Sequence, residues 1–266
     1  GRTLSEARLG EALGGQRDKV ILATKCGRYD RDLPHGFDFS AERLTRSIEE
    51  SLARLKTDVI DIYQLHDIEF TEERQVVEEA LPALAKMREQ GKIRFIGITG
   101  YPLPLLMRVA EQVPVDTILS YSHYNLLITT LDDELAPFAA EHGIGLMNAS
   151  ALHMGALTEG AAPDWHPAPA RIHAAVARAA QIARKHGTDI MTLAVQFVLG
   201  YTGAATTLIG MRTEAEVNAN LGLVGSTPDA NVMAAVQAEL ARVKDVVWQS
   251  GLPQHFEPGA VAPGGE

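Results

Sequence analysis

A single cysteine, Cys26, in 266 residues leaves no way to form a disulfide within the chain and fits a reducing compartment. No apolar run reaches the roughly 18 residues that a membrane-spanning helix needs. Near the start no basic stretch leads into an apolar one, so no secretory signal is legible. Basic residues are in deficit: 24 Lys and Arg against 34 Asp and Glu give a formal charge of −10. Without a basic stripe, that balance argues against nucleic acid as the main partner. The expectation is a soluble, cytoplasmic protein with no nucleic-acid or membrane partner. Motifs are missing too. There is no H-E-x-x-H, and His66-Asp67-Ile68-Glu69 sits at a strand end, so no metal site is expected. No G-x-G-x-x-G follows the first strand, and Gly143-Ile144-Gly145 precedes one, which is the wrong end for a dinucleotide fingerprint. Neither a repeat nor a linker divides the chain, so residues 1–266 are expected to form one domain, closed by an irregular Pro/Gly/Ala tail over 252–266.

What the chain does have is regular alternation. Thr3 and Glu6 have capping-box spacing ahead of Leu9 and Leu13 on one helix face. Val20 to Ala23 reads as a buried strand, followed by a loop of about 15 residues that holds Tyr29, Pro34, His35, Gly36, Phe37 and Phe39. Ser40 is placed to cap a helix whose Leu44, Ile48, Leu52 and Leu55 share a face. The strand VIDIYQL leads to a long helix with Val77, Leu81, Leu84 and Met87 inward and Gly91 past its end. Strands IRFIGI, DTILSY, IGLMNA and ATTLIG then alternate with helices. Of these helices, one ends at Gly143, two lie near 171–186 and 189–200, one starts about Thr213, and the last spans roughly 229–247. Strands separated by helices pair in parallel through right-handed crossovers. Six strands suit an open sheet by count, since a closed barrel of this type needs eight.

The strand ends argue for the barrel. Each strand is apolar in its body and finishes in polar or small residues: Thr24-Lys25, His66-Asp67, Thr99-Gly100, Ser120-Tyr121, Asn148 with Ser150, and Gly210-Met211-Arg212. In a parallel barrel those ends meet on one rim, where active sites lie. Taken singly the residues are ambiguous. Lys25 reads equally as a snorkelling strand-end lysine, and His66 as a strand-end histidine with its hydrogen bonds satisfied. Cys26 reads as a small buried filler, since no nucleophile motif surrounds it. His142 and His186 complement helix C-termini, and the other histidines look scattered. Gly210, Arg212 and the N-terminus of the following helix could together receive an anion.

ILATKCG, SIEESLARLKTDVIDIYQLHD, GKIRFIGITG and IGMRTEAEVNAN resemble the aldo-keto reductases, (β/α)8 barrels that use NAD(P)H without a Rossmann fold. ATKCGRYD, FDFSAERL, HDIEF, RFIGITGYPL, ILSYSHY and PDWHPA resemble, more narrowly, a sugar-oxidising branch of that family. The likeness runs from Leu4 to about Gly251 and implies an oxidoreductase acting on CH–OH groups. The reaction implied is NAD-dependent oxidation of the anomeric hydroxyl of an aldose to the sugar lactone. L-Galactose is the first choice of sugar, with L-fucose or another aldose as the alternative. A nucleotide-binding subunit without catalysis, or a gene fragment without a function of its own, is the rival reading.

The resemblance assigns residues as well. Lys25 matches the family's lysine and His66 the histidine that orients the reacting oxygen, which leaves Asp67 as a loop carboxylate. Thr99 matches the serine near the nicotinamide amide, with Gly100 where asparagine is usual. Tyr121 stands for a glutamine and Ala149 for an aromatic that stacks on nicotinamide. Ser150 and Leu152 match the next cofactor loop, followed by Gly210, Met211, Arg212, Thr213, Glu216 and the adenine-side Asn220. NADPH-preferring relatives carry basic residues at the positions of Gly210 and Glu216, so NAD is expected over NADP. Tyr29, Phe37 and Trp165 are expected to shape the sugar pocket. The family's aspartate and acid/base tyrosine lie on the strand before the first helix, and Gly1 matches the glycine after that tyrosine. The expectation is therefore a barrel truncated at its N-terminus, with six strands and impaired turnover. Extending the chain upstream through that tyrosine is expected to raise NAD⁺-dependent turnover about 10²–10⁴-fold. Equal turnover with and without the extension would refute the placement.

Overall fold

The structure, a computed structural model, describes residues 3–30, 35–159, 162, 163 and 165–264. Gly1, Pro34 and Asp164 of PDWHPA lie outside them. Two compact units divide the chain: Gly1–Leu119 with Ser250–His255, and Ser120–Gln249 with Phe256–Glu266.

In the first unit α1 (Leu4–Ala12) precedes β1 (Ala23–Cys26), α2 (Ala41–Leu55) and β2 (Ile60–Leu65). Next come α3 (Glu73–Gln75), α4 (Leu81–Glu89), β3 (Ile93–Gly100) and α5 (Leu103–Gln112), and β4 (Thr117–Tyr121) begins here. β1 and β2 pair in parallel with Cys26 opposite Leu65, and β2 and β3 do so with Leu65 opposite Ile98. One step past those rungs stand Gly27, His66 and Thr99. Every residue of β2 is buried, as expected of a strand paired on both sides. Asp61 and Gln64 find partners there. Asp61 accepts from Arg17, Arg94 and the Leu22 amide, and the Gln64 amide donates to the Thr117 hydroxyl. Gly97 on β3 is required by space, because a Cβ there would lie 2.2 Å from the Thr117 Oγ1.

α2 forms as its spacing predicts. The Ser40 hydroxyl accepts from the Arg43 amide at 3.3 Å, and Leu44, Ile48 and Leu55 are buried, each stabilising by about 1.5–3 kcal/mol. Elsewhere the pattern misleads. Thr3 takes a left-handed φ of 64° and provides no side-chain cap, while Glu6 turns to the Thr24 hydroxyl and Arg54. A capping box needs an extended cap residue, and here a stronger charge-assisted partner takes the carboxylate. The first strand lies later than Val20–Ala23. Pairing to β2 starts with the Leu22 carbonyl, and Val20 and Ile21 stay exposed. In the long helical stretch a π-turn over Val76–Ala80 inserts a residue per turn, so Val76 and Ala80 face inward in place of Val77. Ser250–His255 is irregular but tied down. The Leu252 amide donates to the Glu69 carbonyl at 2.8 Å, and His255 Nε2 lies 2.9 Å from the Thr71 carbonyl.

The second unit holds a π-turn (Leu131–Leu135), α6 (Ala136–Glu141), β5 (Gly145–Ala149), α7 (Ala170–Lys185) and α8 (Ile190–Leu199). β6 (Thr206–Leu208), α9 (Glu214–Leu221) and α10 (Ala230–Leu240) follow. β5 and β6 pair in parallel, Met147 opposite Thr206. The core sets the alanine-rich stripe of α7 (Ile172, Ala175, Ala179, Ala183) against Val232, Val236 and Leu240 of α10. α10 stops short of the predicted 247 because Asp245 takes φ 58° and its carboxylate accepts from the Thr129 amide. Among the described residues no helix is long and apolar enough to cross a membrane.

The histidines are less scattered than their spacing suggests. His153, fully buried, has its ring edge-on to Trp248 at 5.3 Å and 5.5 Å from His166, and His173 meets His166 at 5.4 Å. His166 Nδ1 accepts from the Ala168 amide, so its protonated Nε2 donates to the His153 carbonyl at 2.8 Å. Burial, and after it the neighbouring His166, His123 and His173, push the His153 imidazole down to about 3. The unfolded chain therefore binds a proton that the folded one refuses. Stability is fully present above the ordinary histidine range and falls by about 1.4 kcal/mol per pH unit as pH drops from about 6.5 towards 3. Urea unfolding midpoints followed across that window should flatten in a His153→Gln variant, and an unchanged slope would show that the acid sensitivity arises elsewhere.

Candidate active site

The end of β1 and the end of β2 bring Lys25 and His66 to the wall of one cavity of about 390 Å³ in the first unit, with Arg28, Tyr29 and Arg43 beside them. Parallel pairing is the cause. It stacks strand ends at one level, and the His66 amide continues the ladder by donating to the Cys26 carbonyl at 2.8 Å. Burial lowers the Lys25 ammonium from its ordinary range, and the negative charge of Asp67 pulls it back up. Burial also lowers His66; Asp67 opposes that, while Lys25 and Arg28 add to it. At neutral pH the imidazole is thus neutral, beside a lysine on which burial and the Asp67 charge pull in opposite directions.

Asp67 is more than the loop carboxylate expected from its position. It is buried at 6 % exposure, takes a left-handed φ of 53°, and lies with Oδ2 3.6 Å from His66 Nε2. Arg28 donates to the same oxygen at 3.0 Å. The Asp67 amide donates to the Thr99 hydroxyl at 3.0 Å, and that hydroxyl reaches Asp67 Oδ1 at 3.4 Å. Thr99, which the sequence directed to a nicotinamide amide, is fully buried and spends its hydroxyl on Asp67. Sequence reasoning missed Asp67 and Arg28. The only signal was an aspartate directly after a strand-end histidine, and only the fold brings Arg28 to it.

Tyr29 lines the cavity as expected. Its hydroxyl accepts from the Gly27 amide at 3.2 Å, and the Arg43 guanidinium covers its ring at 3.6 Å. Burial raises its phenol, the wrong direction for a proton shuttle at neutral pH. Phe37 does not line that cavity. It stacks on Phe70 at 4.5 Å and on Phe39 at 6.0 Å, with Arg28 over its face, so it anchors the loop. Cys26 is 1 % exposed, and its thiol is pushed up to about 12, first by burial, which makes it the inert filler its context suggested.

The remaining sequence-derived residues belong to the second unit. Tyr121 closes β4, half-buried. Ser150 follows β5 with φ 64°, and its carbonyl accepts from the His153 amide at 2.8 Å. Leu152 packs against the hydrophobic core of its unit. Trp165 is 66 % exposed and stacks loosely on His166, which is a poor position for a pocket wall. After β6, Gly210 has open space where a Cβ would stand and Met211 is exposed, so no close packing within the chain demands that glycine. The Thr213 hydroxyl caps α9 by accepting from the Glu216 amide at 3.2 Å. The Glu216 carboxylate accepts from the Arg212 amide at 2.6 Å and meets its guanidinium at 3.4 Å, so the chain's own carboxylate takes groups expected to receive an anion. Those bonds, led by the Arg212 amide, hold Glu216 below the usual carboxylate range. Asn220 lies half-buried on α9.

Comparison with known proteins bears directly on this arrangement. A family model described as "Aldo/keto reductase family" matches residues 1–240. L-galactose dehydrogenase of Arabidopsis thaliana is 43 % identical over 265 residues, covering 96 % of this chain and 82 % of the relative. D-threo-aldose 1-dehydrogenase of a Pseudomonas species is 28 % identical, covering 92 % and 81 %. Among solved structures, the holo form of the aldo-keto reductase AKR11C1 from Bacillus halodurans superposes with a TM-score of 0.72 at 25 % identity, covering 96 % of this chain and 82 % of the other. These likenesses put the six strands in the (β/α)8 barrel class that the strand ends favoured over an open sheet.

Proposed function

We infer the reaction from one premise, that this chain belongs to the aldo/keto reductase family, and is accordingly an oxidoreductase acting on CH–OH groups and using a nicotinamide cofactor. The proposed reaction is oxidation of the anomeric hydroxyl of an aldose, L-galactose first, to its lactone, with the hydride passing to NAD⁺ and the hydroxyl proton to water. The observation that carries it is the placing of Lys25 and a neutral His66 on one cavity wall. A neutral imidazole can orient a hydroxyl through a hydrogen bond without repelling the cation beside it. Lys25 then stabilises negative charge as it develops on the reacting oxygen. Relatives that oxidise sugars, the L-galactose and D-threo-aldose dehydrogenases above, support the choice of substrate class.

The donor set after β6 suits a dinucleotide. The exposed Arg212 guanidinium would have to leave Glu216 to meet a pyrophosphate, Glu216 can then accept from ribose hydroxyls, and Asn220 offers an amide to an adenine edge. Ser150 and Leu152 would flank the nicotinamide side. When bound, the cofactor supplies the hydride acceptor. A second reading, nucleotide binding without turnover, draws on Tyr29, whose phenol burial raises away from the range an acid/base at neutral pH needs.

NAD⁺-dependent absorbance assays with L-galactose, L-fucose and D-aldoses test the reaction. L-Galactose should give the highest kcat/KM, and Lys25→Met and His66→Ala should each lower kcat about 10²–10⁴-fold. Cofactor binding without oxidation of any aldose would favour the second reading. Glu216→Gln removes a charge that opposes a 2′-phosphate, so the NADP⁺ to NAD⁺ ratio of kcat/KM should rise by about tenfold or more. An unchanged ratio would remove Glu216 from cofactor selection.

A further inference from the structure

We propose that Asp67 is a positioning residue of the active site, a fixed negative charge held against His66 by Arg28 and Thr99. The inference rests on the reading of Lys25 and His66 as the reacting pair. A plainer account would make Asp67 the cap of the short 3₁₀ turn Ile68–Phe70, but its side chain makes no capping bond there. The carboxylate points the other way. Oδ2 takes the Arg28 guanidinium at 3.0 Å and lies 3.6 Å from His66 Nε2, while Oδ1 faces the Thr99 hydroxyl at 3.4 Å.

The backbone is committed to that orientation. A φ of 53° is uncommon for a residue with a side chain, and the surroundings hold it in place. The Asp67 amide is fixed to Thr99 on β3, and the Asp67 carbonyl accepts from the Phe70 amide at 3.2 Å. Among the described residues the charged groups that bear on the pair are Lys25 on β1, Arg28 on the loop after it, and Asp67 itself beyond β2. Among the described residues Asp67 is the counter-charge acting on both Lys25 and His66. It opposes the burial that works against a charge on Lys25, and a cation is what an oxygen gaining negative charge requires.

Asp67→Asn is the discriminating variant, since asparagine tolerates the left-handed backbone, keeps a hydrogen-bonding side chain and removes only the charge. The readout is the pair of titration midpoints, His66 followed by its imidazole NMR signals and Lys25 by its side-chain signals. Both midpoints should fall, that of His66 by about one pH unit, as for loss of an opposite charge at this distance. Thr99→Val loosens the clamp but keeps the charge, and should lower both midpoints by less; it carries the test if the asparagine variant does not fold. Midpoints that stay in place while thermal stability drops would overturn the proposal and leave Asp67 a structural residue. In the aldose assay the alkaline limb of kcat/KM should move to lower pH in Asp67→Asn, and a limb that stays put would also overturn it. The two readings separate cleanly. Shifted midpoints in a protein that oxidises no aldose would sink the proposed reaction, whereas turnover with unshifted midpoints would sink only the role of Asp67.

Discussion

Parallel pairing of β1, β2 and β3 in a single register is the constraint on which the candidate site depends. With Cys26, Leu65 and Ile98 on one rung, the next residues of the second and third strands are His66 and Thr99. Lys25 lies one rung earlier, opposite Gln64. A slip of one residue would send each of these side chains to the other face of its strand, burying the lysine in the apolar layer. What prevents the slip is the fully buried β2, whose Asp61 and Gln64 find partners only in this register. Gly97 belongs to the same argument, because its missing Cβ makes room for Thr117 beside β3. Placement of Lys25 and His66 and packing of the core are thus one requirement.

Electrostatics in the site follow from how little water reaches it. Lys25 and His66 are each pushed towards neutrality by burial, and the neighbouring charges decide how far each goes. The imidazole yields and the ammonium has a counter-charge. Burial is also why Tyr29 and Cys26, close by in sequence, do not compete as reactive groups, since both are driven towards their protonated forms. The same physics acts in the second unit on His153, where the consequence is acid sensitivity.

Carboxylates recur as organisers. Glu6 leaves its expected capping role for Arg54 and Thr24, and Asp61 gathers two arginines and an amide. Glu216 folds back on Arg212 at the start of α9. Each carboxylate gathers an arginine guanidinium together with a neutral donor, Thr24 for Glu6, the Leu22 amide for Asp61 and the Arg212 amide for Glu216, and the charge-assisted bonds add strength. Glu216 consequently sits as a negative charge in the segment expected to meet a cofactor.

The sequence by itself determined the alternation of strands and helices, the polar strand ends, and the identity of Lys25 and His66 as residues worth testing. Those features are written in periodicity and in side-chain type, which are local properties. Periodicity failed where a single inserted residue changed the phase, as at Val76, and where a tertiary bond ended a helix early, as at Asp245. Only the tertiary structure decided that Asp67 is buried against Arg28 and Thr99, that Phe37 anchors a loop, and that His153, His166 and His173 form one group. Each of these depends on residues far apart in the chain meeting with little water between them. Both the pairing and the loss of solvent belong to the folded state and leave no local pattern to read.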